Sequence, residues 1–319
     1  MSKHLKISLI SVISLLVLCL SGCQGRAYSS GGEGLEIITT MFPAFDLARE
    51  ICGDKAEVVL LVPPGAEAHS FEPSAQDMLR VRNCDLFIYN GGESEVWVQE
   101  LLSAQDVDIP RLEMISTVPV LEEQIQEGMQ HRHSHEDEPG HSHMEFDEHV
   151  WTSPVNAAII SRAIAEELCQ IDPANAAYYQ SRCEAYLLEL DALDEGFRQA
   201  VAEGRQHSLI FADRFPARYF VEEYGLGYYA AFPGCAGDTE PSAKTVAFLI
   251  DKVEQEDIKA VFYIEFSNQK MARVIAEDTG CDTLLFHTCH NVSREELDAG
   301  VSYIGLMEQN LKNLKEALA

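Results

Sequence analysis

The order of strand-like and helical segments predicts an α/β fold of two lobes with parallel-type sheets, joined by one long rigid helix. Two observations carry this expectation. Short runs rich in β-branched and aromatic residues alternate with helical patterns, once before residue 171 and again after residue 204. Between the two sets lies a stretch of about thirty residues with an unbroken helical period, which reads as a spacer between lobes. The length of 319 residues, with 46% hydrophobic and 24% charged residues, gives enough material for two globular cores.

In the first lobe, 35–40, 56–62 and 85–90 read as strands, with helical patterns at 45–51 and 74–81. The spacer covers 173–201. Its apolar positions Tyr179, Cys183, Tyr186, Leu187, Leu190, Leu193, Phe197 and Val201 step by three or four residues, and Asp172-Pro173 supplies a start signal. In the second lobe, 207–212, 227–232, 260–264 and 283–287 read as strands, with helices at 242–255, 270–279 and 301–318. The expected boundaries are a first lobe at 35–171, a linking helix at 172–203 and a second lobe at 204–319.

The N-terminal segment 1–22 has the form of a secretory signal. Lys3 and Lys6 precede an apolar run over 7–20, too short for a comfortable membrane span. The run ends in Leu20-Ser21-Gly22-Cys23, which resembles a bacterial lipobox and implies diacylglyceryl transfer to Cys23. Two acyl chains anchor a protein firmly where one does not. Residues 23–34, rich in Gly and Ser, then form a flexible tether. The expected location is the cell envelope, outside the cytoplasmic membrane and attached by lipid.

Charge narrows the function. The formal net charge is −29, and loss of Lys3 and Lys6 with the signal makes it −31. Such a surface repels phosphate backbones, so nucleic acid is excluded as a partner, and it repels anionic headgroups. Cations are the natural ligands. Seven cysteines follow Cys23 with no CxxC spacing, so no thiolate zinc knuckle is indicated, and disulfide pairing stays open.

Histidines cluster in HRHSHEDEPGHSHMEFDEH. His131, His133, His135, His141 and His143, interspersed with Asp and Glu, fall in a segment (127–148) without apolar residues enough to pack, so a mobile loop that captures metal is expected there. The HExxH spacing of metalloproteases is absent, because His135-Glu136 continues as Asp-Glu-Pro-Gly-His.

His69 in PPGAEAHSFEPS and His149 in DEHVWTSP complete the pattern. Together with TMFPAFDLAREICGDKAEVVLLVPPG and the acidic His-rich insertion, these segments resemble the metal-binding proteins of bacterial zinc and manganese ABC importers, the cluster A-I solute-binding family, over nearly the whole length after Cys23. The zinc-handling branch is the nearer likeness. The resemblance implies two (β/α) lobes with metal in the inter-lobe cleft, His69 and His149 as its first two ligands, and an ABC-type metal permease as partner. The family's third ligand, His or Glu, follows the first strand of the second lobe. There this sequence reads FADRFPARYF, with one extra residue and no His, so Asp213 is the nearest ligand type. The fourth, Asp or Glu, follows the last strand, where FHTCHN offers His287 or His290, with His287 favoured because it ends the strand. Glu265, after the preceding strand, is a ligand or a partner that orients an imidazole.

The expected function is a monomeric, lipid-anchored receptor that takes Zn²⁺ as transported ligand, with Mn²⁺ as the alternative, and that is not an enzyme. Binding should weaken as pH falls through the histidine range, because the ligands must be deprotonated. A zinc hydrolase would need an open coordination position and a base, and no motif supplies them. A surface adhesin is a further class that nothing in the sequence tests.

Overall fold

A computed structural model describes residues 34–66, 71–104, 109–129, 146–234 and 241–319. Cys23, His69, Cys235, Glu240 and the five loop histidines His131, His133, His135, His141 and His143 lie outside the described residues. Leu35–Ala319 forms one compact unit.

The first lobe is a four-stranded sheet of β1 (Leu35–Thr39), β2 (Ala56–Leu60), β3 (Leu86–Tyr89) and β4 (Arg111–Glu113), all parallel, in the order β2-β1-β3-β4. Parallel neighbours need crossovers, and here α1 (Phe42–Cys52), α2 (Ala75–Asn83) and α3 (Val96–Ala104) supply them. Pro43 opens α1, and a capping box between Ser74 and Asp77 opens α2. The three-residue β4 has no legible pattern in the sequence, since only Leu112 of Arg-Leu-Glu is buried.

Chain from the first lobe enters α4 (Pro154–Ile171), capped by Ser153, then a 3-10 turn at Pro173–Asn175, then α5 (Ala176–Glu203). The 28 residues of α5 make a rod of about 42 Å at 1.5 Å per residue. Seven of the eight apolar positions expected to face inward are buried, Val201 being half-buried, and Ala200 joins them. The Asp172 carboxylate accepts from Asn175 Nδ2 at 2.6 Å and Tyr179 Oη at 2.8 Å, which fixes the start of the rod.

The second lobe contains β5 (Ser208–Phe215), α6 (Arg218–Tyr224), β6 (Gly227–Pro233), α7 (Ala243–Glu256), β7 (Ala260–Tyr263), α8 (Lys270–Thr279), β8 (Asp282–Leu285), α9 (Arg294–Asp298) and α10 (Tyr303–Ala317). Its sheet is parallel in the order β6-β5-β7-β8, the same construction as the first. The α5 rod packs against α1 and α4 of the first lobe and α10 of the second, so one core runs through both lobes. In β5 the register slips: Phe211 pairs with Ala230, but Arg214 pairs with Phe232. One extra residue on β5 is thereby taken up as a bulge beside Asp213.

The lobes are tied by buried polar groups. Tyr303 N–H donates to Asp46 Oδ2 at 2.6 Å, Tyr303 Oη donates to Trp151 O at 2.7 Å, and Trp151 Nε1 donates to Thr288 O at 2.8 Å. Burial raises the Asp46 carboxyl to about 6, against the lowering by Arg49, and raises Glu95, on the loop after β3, to about 7. A carboxyl raised on folding favours its protonated form, so this stabilisation is complete below about pH 4 and is lost as pH rises through 6 and 7. The metal-free protein is expected to lose on the order of 3 kcal/mol between pH 5 and pH 8 from these two groups. Denaturant unfolding at stepped pH measures this; Glu95→Gln should flatten the profile, and stability that rises across the interval would refute the assignment.

Candidate metal centre

In open parallel sheets, ligands bind outside the carboxyl ends of the strands, where the strand order reverses. In these lobes that point falls between β1 and β3, and between β5 and β7. The loops there carry Asn90 and Glu95 in the first lobe and Glu265 in the second, and Asp213 stands near the carboxyl end of β5.

His149 stands just before a 3-10 turn (Val150–Thr152) and is 1% exposed. Its N–H and its Nδ1 both meet Asp147 Oδ1, at 2.9 and 3.1 Å. A carboxylate on Nδ1 places the ring proton there and leaves the Nε2 lone pair for a metal. Burial opposes charging of this ring, but Asp147, then Glu148 and Glu123, outweigh it and raise its pKa. Protons therefore compete with a metal here at higher pH than at a free histidine.

The segment 147–149 is braced from both lobes. Asn90 Nδ2 donates to Glu148 O at 2.9 Å, and Ser94 donates to the Glu148 carboxylate through N–H (3.0 Å) and its hydroxyl. Tyr219 Oη, from α6, donates to Asp147 O at 2.8 Å and accepts from Leu121 N–H at 3.1 Å. Gly234, at the end of β6, lies against the His149 ring: a Cβ there would come within 3.0 Å of His149 Cε1.

The second-lobe loop after β8 turns sharply at Cys289, which takes φ 61°, a left-handed conformation strained for a side chain of this kind. The turn lets Cys289 N–H donate to His287 Nδ1 at 3.0 Å. The neutral His287 ring then carries its proton on Nε2, which sits 3.9 Å from Glu296 Oε1. His287 is further locked by Asn310, which accepts from its N–H and donates to its carbonyl, both at 2.7 Å. Burial pushes the Cys289 thiol well above its ordinary value, so no thiolate is offered.

His290 lies beyond the turn, its ring edge-on to His149 with centroids 5.8 Å apart, and Trp151 packs against both, at 5.5 and 5.3 Å. Two imidazoles on one zinc, each bonded at about 2.0–2.1 Å, hold their centroids about 5 Å apart, so this pair stands close to bridging distance. Glu265 accepts from Thr288 N–H at 2.8 Å and from the Thr288 hydroxyl, whose oxygen in turn accepts from His290 N–H at 3.2 Å. It thus holds the loop that presents His290. Half-buried Asp213 accepts from Arg214 N–H at 2.8 Å and lines a cavity of about 630 Å³ together with Glu265.

Among the described residues no three metal-ligating side chains converge, and His69 stands outside them. Sequence reasoning missed Tyr219 and Gly234. Each acts between the lobes, where no local spacing announces a contact. Among the described residues no helix is long and apolar enough to cross a membrane.

Two parallel lobes of the same strand order, locked by a shared helix, with imidazoles from both meeting between them, define a two-lobed solute-binding protein. The family described as "ZnuA: Zinc-uptake complex component A periplasmic" matches residues 37–317, and the chain belongs to that family. It is 31% identical over 312 residues to the zinc-binding lipoprotein AdcA of Streptococcus pneumoniae, covering 98% of this chain but 60% of that relative's length. It is 30% identical to the high-affinity zinc uptake system protein ZnuA of Bacillus subtilis, covering 95% of this chain and 94% of that one. The crystal structure of the Zn(II)-bound ZnuA-like domain of S. pneumoniae AdcA superposes with a TM-score of 0.73 at 28% identity, covering 89% of this chain and 99% of that domain.

Proposed function

We propose that this chain is an extracytoplasmic, high-affinity Zn²⁺-binding protein that delivers its cargo to an ABC-type metal permease, held to the membrane by lipid at Cys23 and acting as a monomer. The observation that carries the reading is the His149–Asp147 pair, its Nε2 available for a metal, edge-on to His290 of the opposite lobe. The names of the relatives point the same way.

The ligands in this reading are His69 and His149 from the first lobe, and His290 and the Asp213 carboxylate from the second. His287, whose Nδ1 is engaged by Cys289, serves instead to shape the loop, and Glu265 anchors it. Three imidazoles and one carboxylate suit zinc; a carboxylate-rich set would suit manganese. A four-ligand protein shell leaves no open position for an activated water, which argues against catalysis. The histidines of 131–143 act as a separate, weaker capture loop.

Calorimetry with metal-free protein tests this. One tight Zn²⁺ per chain is expected, plus weak sites that vanish when 131–143 are deleted. Loss of the tight site with that deletion would overturn the division of labour, and Mn²⁺ competing on equal terms would overturn the choice of cargo.

A further inference from the structure

The rings of His149, His290 and Trp151 form a triangle. His149 and His290 stand 5.8 Å apart, and Trp151 lies 5.5 Å from the first and 5.3 Å from the second, at interplanar angles of 59° and 53°. Trp151 is buried, in the 3-10 turn that follows His149. That turn is bound to His149: Thr152 donates to His149 O through its N–H at 3.1 Å and its hydroxyl at 2.8 Å, and Asn156 Nδ2 donates to Val150 O at 3.0 Å. The polar groups of Trp151 itself reach the other lobe. Its indole N–H donates to Thr288 O at 2.8 Å, and its carbonyl accepts from Tyr303 Oη at 2.7 Å. Thr288 stands two residues before His290, and its hydroxyl oxygen accepts from His290 N–H at 3.2 Å.

Trp151 is therefore fixed to both imidazoles, to His149 through the turn and to the loop of His290 through Thr288. We propose that Trp151, held at its carbonyl by Tyr303, is a positioning residue that sets the separation and angle at which His149 and His290 meet a metal; this rests on the zinc reading above. An indole suits the task. It carries one donor and no acceptor, a buried indole N–H finds a partner, and the rest of the ring fills the space beside both imidazoles. In a close-packed interior, displacement of one ring is passed to its neighbours. Phenylalanine in its place fills less of the triangle and leaves Thr288 O without that donor. The lobes stay joined when the indole is altered, because both pack on the α5 rod and Asn291 Nδ2 donates to Pro63 O and Ala66 O, at 2.9 and 2.8 Å.

The test uses the full chain with Trp151→Phe and Tyr303→Phe, Co²⁺ as a probe of geometry and Zn²⁺ as cargo. The visible bands of bound Co²⁺ depend on the number and arrangement of its ligands. In Trp151→Phe those bands should shift and change intensity against wild type. Zinc dissociation, followed by transfer to a chromogenic chelator, should speed up by about 10-fold or more, a size known for residues that support ligands. Tyr303→Phe removes one hydroxyl and leaves the indole in place, so both readings should move the same way by less. In metal-free protein, amide hydrogen exchange at 288–290 should speed up in both variants. A lowered thermal midpoint in Trp151→Phe, with the Co²⁺ bands and zinc dissociation unchanged, would make the indole a packing group only and overturns the proposal. Where Trp151→Phe does not fold, wild-type readings from Tyr303→Phe overturn it too. A wild-type protein that binds neither metal would instead overturn the reading of function, and this proposal with it, while exchange at 288–290 would still report whether the indole holds the loop.

Discussion

His149→Ala is expected to abolish tight zinc binding, a greater loss than the about 10–100-fold that removal of an outer partner of a metal ligand brings. The basis is its burial at 1% exposure and its Nδ1 held by Asp147, which leaves Nε2 as the ring nitrogen to offer a metal. Asp147→Asn should fall within that 10–100-fold range, because the amide keeps the shape but no longer demands a proton on Nδ1. It should also lower the pH at which zinc binding fails, since Asp147 is the largest of the groups raising the His149 pKa. Chelator competition across pH 5.5 to 8 measures both. Affinity in His149→Ala within a few-fold of wild type would remove His149 from the metal shell.

The second large effect separates two histidines three residues apart. His290→Ala should lose tight binding. His287→Ala should keep most of it but unfold more easily, because the ring is 2% exposed and its removal leaves the Cys289 N–H and a void behind. Zinc affinity and thermal midpoint, measured together, distinguish the outcomes; the reverse order would place His287 on the metal. His290→Glu puts a carboxylate where the imidazole stands. It should retain zinc and bind Mn²⁺ better than wild type does, following the preference of harder ions for oxygen ligands.

Much of the scaffold was legible because its signals are local. The apolar steps of α5 follow from helical period alone, and they face the core as the spacing requires. The alternation of strands and helices carried the parallel sheets. Elements with weak patterns were not legible: β4 with a single buried residue, and α6 and α9 with seven and five residues. His287 and His290 show what sequence position leaves open at the site. Strand-end position favours His287, while the ring found against His149 is that of His290, beyond a left-handed turn at Cys289, and a backbone dihedral at a cysteine leaves no mark in sequence. The register shift of β5 against β6 beside Asp213 was not legible either.

The lashings between Trp151 and Thr288, Tyr303 and Asp46, and Asn291 and the 63–66 loop have a consequence for communication. A receptor whose halves swing announces its cargo by changing its outline. Halves lashed together at several buried points, and sharing one rod, have little outline to change. A docking partner would therefore have to read the difference between full and empty forms from a few residues at the rim, as a lock reads the cut of a key rather than the hand that holds it.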